Sequence, residues 1–248
     1  MNRDKVFQPL YDKYGEKIKF ILLSNKEEKV VYEADTQDGA FMVMIMPHLT
    51  VTRCHKYMRS LGLQQKLFEE GFNVAEVIDV YFADDCLVSV QKKLDGTNTF
   101  VKNNQSMTEI GRLVGKLHKL TSSPQFRNTF LLADYPDCIR RLQLKVYDFW
   151  FSRIAGFFKY ISMSKFPMGI CHRDVNPNNV LYGEDGKYYL IDFDVHRYQP
   201  FVEGIIRFYA RKIQNKELFG ACINGYEQER PFTLEERKYL ERELKISL

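Results

Sequence analysis

The sequence predicts an α+β protein in two parts, a β-rich segment over residues 1–93 and a mostly helical segment over residues 94–248. Short apolar runs punctuated by turn residues fill the first part. Apolar residues at helical spacing take over from Ile110 onward. A polar cluster, CHRDVNPNNVLYGEDGKYYLIDFDVHRY (Cys171 to Tyr198), interrupts the helical part and carries a hairpin of its own.

In the first part, Lys17–Ser24 and Lys29–Ala34 are β-prone, and Gln37-Asp38-Gly39 turns the chain into the apolar run Phe41–Met46. A helix is expected over Arg53–Glu70, with Gly71 as its stop. Val77–Phe82 and Cys86–Gln91 form two further strands joined by Ala83-Asp84-Asp85. Leu94-Asp95-Gly96 marks a break, and Thr97–Gln105 is polar and loop-like.

In the second part, Ser106 and Glu109 form a capping box ahead of Ile110, Leu113, Val114 and Leu117. Asp137–Ser162 keeps the helical period through Ile139, Leu142, Val146, Phe149, Trp150, Ile154, Phe157 and Ile161, an aromatic stripe suited to a core. Helical patterns resume at Phe201–Lys212 and at Leu234–Leu244, the latter opened by a capping box of Thr233 and Glu236.

Composition narrows the function. The 248 residues are 45% hydrophobic and 14% aromatic, ample for a packed core. The net charge of +4 comes from interleaved Lys, Arg, Asp and Glu with no basic run, which argues against nucleic-acid binding. Cys54, Cys86, Cys138, Cys171 and Cys222 are odd in number and widely spaced, as expected of free thiols in a reducing compartment. No run reaches membrane-spanning length, and the polar start MNRDKVFQPL does not read as a signal peptide. The expectation is a cytoplasmic protein without a membrane association.

The chemistry concentrates in the polar cluster. Val180–Tyr182 and Lys187–Ile191 are strand-like, and Gly183-Glu184-Asp185-Gly186 is a hairpin turn, so Asn179 and Asp192 are expected at the same end of one hairpin. Phosphoryl transfer needs a carboxylate beside the attacking hydroxyl and oxygen ligands for Mg²⁺ on the nucleotide phosphates. HRDVNPNN offers Asp174 as base and Asn179 as metal ligand, and IDFD offers Asp192 as the second ligand, in the order and spacing of a kinase catalytic loop followed by an Asp-Phe metal motif.

The whole resembles the aminoglycoside phosphotransferase and choline kinase family. EIGRLVGKLHKL (Glu109–Leu120), RYQPFVEGIIRFYAR after the IDFD motif, and RPFTLEERKYL carry the resemblance beside the catalytic segment. It implies a two-lobed protein-kinase-like fold, with a β-rich nucleotide-binding N-lobe and a helical catalytic and substrate-binding C-lobe. It implies ATP or GTP as co-substrate, Mg²⁺ as cofactor and a hydroxyl-bearing small molecule as acceptor. Asp174 would orient or deprotonate the acceptor hydroxyl, and Asn179 and Asp192 would hold the metal. Asp194 is either a ligand of a second metal or a solvated loop carboxylate. Backbone groups of Lys92 and Leu94 would contact the nucleotide base. His172 supports the loop, and His118 packs in a core.

The sequence departs from the family where the third strand should carry a Lys for the phosphates, because AFMVMIM puts Met44 there. The partner Glu expected on the following helix is missing from its middle, and Glu69 and Glu70 sit at its C-terminal end. The first turn, SNKEEK, lacks glycine. Lys26 and Lys29 on the preceding strands are candidate replacements. Two readings follow: a phosphotransferase using the intact Asp174, Asn179 and Asp192 set, or a pseudokinase or atypical protein kinase acting through nucleotide or partner binding. Glu227, Glu229, Glu235 and Glu236 are candidates for contacts to a cationic acceptor.

Overall fold

The computed structural model describes residues 2–37, 39–97, 103–126, 165–213 and 215–245. The chain divides into two compact units, one comprising Met1–Thr97 with Leu181–Asp194, the other Asn98–Val180 with Val195–Leu248.

The first unit is built on a five-stranded antiparallel sheet of β1 (Lys19–Lys26), β2 (Lys29–Thr36), β3 (Gly39–Met46), β4 (Val77–Ala83) and β5 (Cys86–Lys92), in the order β1-β2-β3-β5-β4. Alternation sorts its side chains onto two faces. Val30, Tyr32 and Ala34 of β2 join Val43, Ile45, Val88 and Val90 on one face. Helix α1 (Arg3–Tyr14) covers that face with Val6, Phe7 and Leu10. The opposite face presents Met46 and Leu87 to Tyr57 and Leu61 of α2 (Val51–Glu69). Helix α1 was not legible in the sequence pattern, where Pro9 reads as a breaker; Asn2 caps it by accepting from the amides of Asp4 and Lys5. Gly71 stops α2 as expected, with φ of 74°. The β4–β5 turn places Asp84 and Asp85 at φ of 47° and 59°, the left-handed pair that a two-residue hairpin demands.

Leu181–Asp194 belongs to this unit through a second sheet, in which β6 (Gly96–Thr97), β8 (Val180–Gly183) and β9 (Tyr188–Leu190) pair in the order β6-β8-β9. The expected hairpin is present: Gly186 takes φ of 78°, and the amide of Gly183 donates to Lys187 O at 2.8 Å. Asn73, just after α2, ties β9 down by donating Nδ2 to Tyr188 O and accepting from Leu190 N (2.9 and 3.1 Å).

The second unit packs α3 (Asn104–Thr121), α4 (Phe201–Phe208), α5 (Lys216–Glu229) and α6 (Leu234–Leu244) around a two-stranded ribbon of β7 (Met168–Cys171) and β10 (Arg197–Pro200). Helix α3 begins earlier than its sequence suggests. Asn103 is the cap and accepts from Ser106 N at 2.8 Å, so Ser106 is buried in the first turn, and Glu109 pairs with Arg112 rather than closing a box. The Thr233–Glu236 capping box of α6 is present in both directions. Helix α4 is shorter than the Phe201–Lys212 pattern and passes into a π-helical turn at Tyr209–Ile213. The helix expected over Asp137–Ser162 lies outside the described residues.

Helix α5 escaped the sequence reading because two glycines and short residues dilute its period. One of those glycines is the reason the helix packs as it does. A Cβ on Gly225 would lie 1.9 Å from Thr108 O, and one on Gly111 would lie 1.9 Å from Cys222 O, so α3 and α5 touch backbone to backbone. Gly220, also in α5, has nothing within 4 Å. Gly111→Ala should therefore destabilise the protein by about 1–3 kcal/mol or more, through forced separation of the helices. Gly220→Ala should stabilise it by roughly 0.5–1 kcal/mol, because only the helix propensity changes. Urea unfolding of the two variants beside wild type measures both signs.

Candidate active site

The loop after β7 builds its geometry from asparagines. Asn176 donates Nδ2 to Asp174 O (3.0 Å), accepts from Asn178 N through Oδ1 (2.9 Å), and its carbonyl accepts from Asn179 N (2.9 Å). Asn179 then folds its amide back, donating Nδ2 both to Asp174 O (3.0 Å) and to Asp174 Oδ2 (2.9 Å). One buried side chain thus fixes both the backbone and the carboxylate of Asp174. Upstream, the amide of Asp174 donates to Nδ1 of buried His172 at 3.4 Å, so His172 supports the loop. Arg173 is held at φ of 68°, unfavourable for a side chain of its size, and its carbonyl accepts from Arg207 Nε at 3.2 Å.

In the first unit, Asp192 and Asp194 follow β9, with Asp192 at φ of 63°. Both carboxylates converge on one ammonium: Lys29 Nζ lies 3.1 Å from Asp192 Oδ1 and 2.8 Å from Asp194 Oδ2. Ser60 Oγ of α2 donates to the other oxygen of Asp194 at 3.4 Å. The side chains of Lys29, Asp192 and Asp194 are 22%, 39% and 24% exposed, so the cluster is partly withdrawn from water. Burial lowers the Lys29 pKa, but the charges of Asp194 and Asp192 more than offset it, and the net shift is upward. Burial raises Asp194; Lys29 opposes this, the like charge of Asp192 adds to it, and the net direction is up.

The two lysines considered as replacements for the missing one differ in placement. Val31 on β2 pairs with Met44 on β3, and Lys29 is two residues along from Val31, so Lys29 and Met44 share one sheet face. Lys26 lies opposite Lys29 in register but is exposed. No Glu lies in the middle of α2; Gln64 of that helix is buried and donates Nε2 to Gln91 Oε1 (2.7 Å) and Ala75 O (2.9 Å). Glu69 and Glu70 are exposed at the far end of the helix. At the end of β5, the amides of Lys92 and Lys93 donate to Glu76 O (2.9 Å) and Ala40 O (3.3 Å), and Leu94 follows directly.

A sequence profile of the phosphotransferase enzyme family matches residues 19–239. The chain belongs to that family. No curated protein matches its sequence. Among solved structures it is similar to an aminoglycoside-3′-phosphotransferase of type VIII, with a TM-score of 0.65 and 15% identity, covering 98% of this chain and 97% of that one. An aminoglycoside phosphotransferase from Alicyclobacillus acidocaldarius gives 0.60 and 16%, covering 94% and 80%. A spectinomycin phosphotransferase bound to ADP and spectinomycin gives 0.57 and 13%, covering 98% and 84%. The fold is protein-kinase-like and the chain is a phosphotransferase enzyme, as the motifs around Asp174 and Asp192 implied.

Three of the four glutamates considered for acceptor contacts are already paired in this phosphotransferase. Glu227 pairs with Arg237, Glu229 lies 3.9 Å from Lys116, and fully buried Glu236 pairs with Arg230 (2.9 Å). Among described residues, Cys54, Cys86, Cys171 and Cys222 are free thiols, and burial pushes Cys171 up to about 12. No described helix is long and apolar enough to cross a membrane.

His118 is a core residue, stacked on Phe201 at 4.4 Å with its Nδ1 3.0 Å from Tyr226 Oη. Arg230 donates to that same Oη at 3.0 Å. A guanidinium can only donate, so Tyr226 Oη accepts from Arg230 while it also shares a hydrogen bond with the His118 imidazole. Burial, then the Arg230 charge, drive its pKa well below 6.5. The unfolded chain takes up a proton there near pH 6.5 and the folded chain does not, so stability is lost as pH falls through that value. The contribution approaches about 1.4 kcal/mol per pH unit. In urea unfolding from pH 7.5 to 5, His118→Gln should show a shallower loss of stability than wild type, whatever its stability at pH 7.5.

Proposed function

We propose that this protein transfers the γ-phosphoryl group of ATP or GTP to a hydroxyl of a small-molecule acceptor, with Asp174 as base and Mg²⁺ held by Asn179 and Asp192. The observation that carries this is the double hydrogen bond from the Asn179 amide to Asp174 O and Oδ2. A base must be held in one orientation before the substrate arrives, and a loop that spends two buried asparagines on one aspartate, one of them on its carboxylate, does that.

The acceptor oxygen attacks the γ-phosphorus and forms the new P–O bond. The bond to the oxygen bridging the β- and γ-phosphorus breaks, the nucleoside diphosphate leaves, and the hydroxyl proton passes to the Asp174 carboxylate. Asp174 is half-buried, and its backbone and one carboxylate oxygen are held by Asn179. The donors suit Mg²⁺: Asp192 already brings a carboxylate oxygen against a cation, the Lys29 ammonium, and a hard divalent ion takes the same oxygen chemistry. When bound, the metal neutralises phosphate charge and fixes the phosphate oxygens. For the base, we assign the carbonyl of Lys92 and the amide of Leu94. The neighbouring amide hydrogens of Lys92 and Lys93 are committed within the unit, which leaves that pattern at the end of β5.

A small-molecule acceptor is supported by the similarity to enzymes solved as aminoglycoside and spectinomycin phosphotransferases. The paired state of Glu227, Glu229 and Glu236 argues against a cationic acceptor held by those glutamates.

Asp174→Asn should keep nucleotide affinity and lose about 10²- to 10⁴-fold in kcat, the usual contribution of a positioned base. A screen of hydroxyl-bearing metabolites with ATP, GTP and Mg²⁺, read by mass spectrometry, identifies the acceptor on which to measure it. Turnover that is equal in the two proteins would remove Asp174 from the reaction.

Asp192→Ala should diminish the thermal stabilisation that Mg²⁺ plus ATP gives the wild-type protein, because stabilisation by a ligand follows its affinity for the folded state. A melting series with ATP alone, Mg²⁺ alone and both together separates the metal contribution from that of the nucleotide.

A further inference from the structure

We propose that Lys29 is the phosphate-binding cation of this chain, moved from the third strand to the second, and that in the nucleotide-free protein its ammonium holds the place between Asp192 and Asp194 that a divalent cation takes when the nucleotide binds. The inference rests on the nucleotide reading of the same site. Three observations carry it. The position expected to bear the cation is Met44, a thioether packed against the core under α2. Lys29 lies on the same sheet face as Met44, one strand over, with its stem partly buried and its charge directed to the residues after β9. It is also the cation against Asp192, the carboxylate assigned to the metal.

Charge decides why this contact is a resting state. One ammonium faces two carboxylates, so these three groups by themselves sum to a negative charge while partly withdrawn from water. A divalent ion in the same place balances both carboxylates, and the released ammonium is then available to phosphate oxygens. Lysine suits such an exchange because it is a point charge on a flexible stem with three rotatable donors. An arginine fork or a lysine fixed on β3 would not move between carboxylates and phosphate as readily. Ser60 and Asp194 complete the arrangement: the hydroxyl holds one Asp194 oxygen at 3.4 Å while the other receives Lys29.

The proposal makes two effects of one substitution differ in sign, which a merely structural lysine would not do. Lys29→Met keeps the stem and removes the charge. In the absence of nucleotide it should bind Mn²⁺ roughly tenfold more tightly than wild type, since no tethered cation has to be displaced. In EDTA it should bind ADP roughly tenfold or more weakly, having lost a charge-assisted contact to phosphate. Lys26→Met, at the exposed position opposite, should leave both affinities within a few-fold. Mn²⁺ is followed by the electron paramagnetic resonance of the free ion and ADP by calorimetry. Unchanged Mn²⁺ affinity in Lys29→Met overturns the competition, and unchanged metal-free ADP affinity overturns the phosphate role. If Lys29→Met does not unfold cooperatively, Asp194→Asn tests the same claim. With one partner neutralised, Lys29 should hold metal-free ADP several-fold more tightly, and equal or weaker binding overturns the proposal. Wild-type protein that binds ADP neither with nor without metal would overturn the nucleotide reading itself, whereas wild-type binding with an indifferent Lys29 overturns only this inference.

Discussion

A buried carboxylate organises the second unit. Glu236 is fully inaccessible, the only acidic side chain so placed among the described residues. Such a group is tolerated only when its charge is paired and its lone pairs are used. One oxygen receives Arg230 and the other receives the amide of Thr233, so a single side chain both caps α6 and neutralises a guanidinium. Arg230 in turn lies over the Phe201 ring at 4.4 Å and donates to Tyr226, whose hydroxyl is hydrogen-bonded to neutral His118. Three helices, α3, α5 and α6, are thereby connected by one chain of hydrogen bonds, and α4 joins it through the Phe201 ring. The chain ends beside β7 and the loop that follows it, because a Cβ on Gly204 would sit 3.6 Å from His118 and 2.9 Å from Cys171 Sγ, the residue before His172. A bulkier residue there would press on the loop that carries Asp174.

The close approach of α3 and α5 belongs to the same constraint. Tyr226 can reach His118 because Gly111, Gly115 and Gly225 let the two backbones meet; a Cβ on Gly115 would lie 2.7 Å from Tyr226 O. Those glycines cost helix propensity, roughly 1 kcal/mol each, and the loss is offset by burial of Phe219, Cys222, Ile223 and Tyr226 along α5. The local sequence of α5 is therefore weakly helical for the reason that its packing is tight.

This explains what could be read beforehand. Strands β2 to β5 and helix α2 were legible because alternation and period are local, and the capping box at Thr233 was legible because it spans four residues. Asp174 and Asn179 were legible as a pair for the same reason, five residues apart in one loop. Helix α1 was hidden by Pro9, α5 by its glycines, and the start of α3 by a cap at Asn103 that competes with the serine-glutamate signature downstream. The pairing of Lys29 with Asp192 joins residues 163 positions apart, and no local rule distinguishes Lys29 from Lys26 across the same turn. Only the side-chain packing does, by leaving Lys26 in solvent and half-burying Lys29.

The first unit shows how a sheet face tolerates the absence of the expected Lys–Glu ion pair. Removing a lysine from the third strand while keeping a glutamate on the helix would leave a carboxylate unpaired beside an apolar sheet face, at a cost of several kcal/mol. Here neither charge is present: Met44 packs with α2, and the middle of that helix carries no Glu. A positive charge lies one strand over at Lys29, where Asp192 and Asp194 after β9 receive it. Strand parity makes this position available, since residues on one face of adjacent antiparallel strands are neighbours and a shift by one strand preserves the face. A lysine at position 29 without Asp192 and Asp194 would leave an ammonium half-buried without these two partners, so the lysine and the carboxylates are one electrostatic unit.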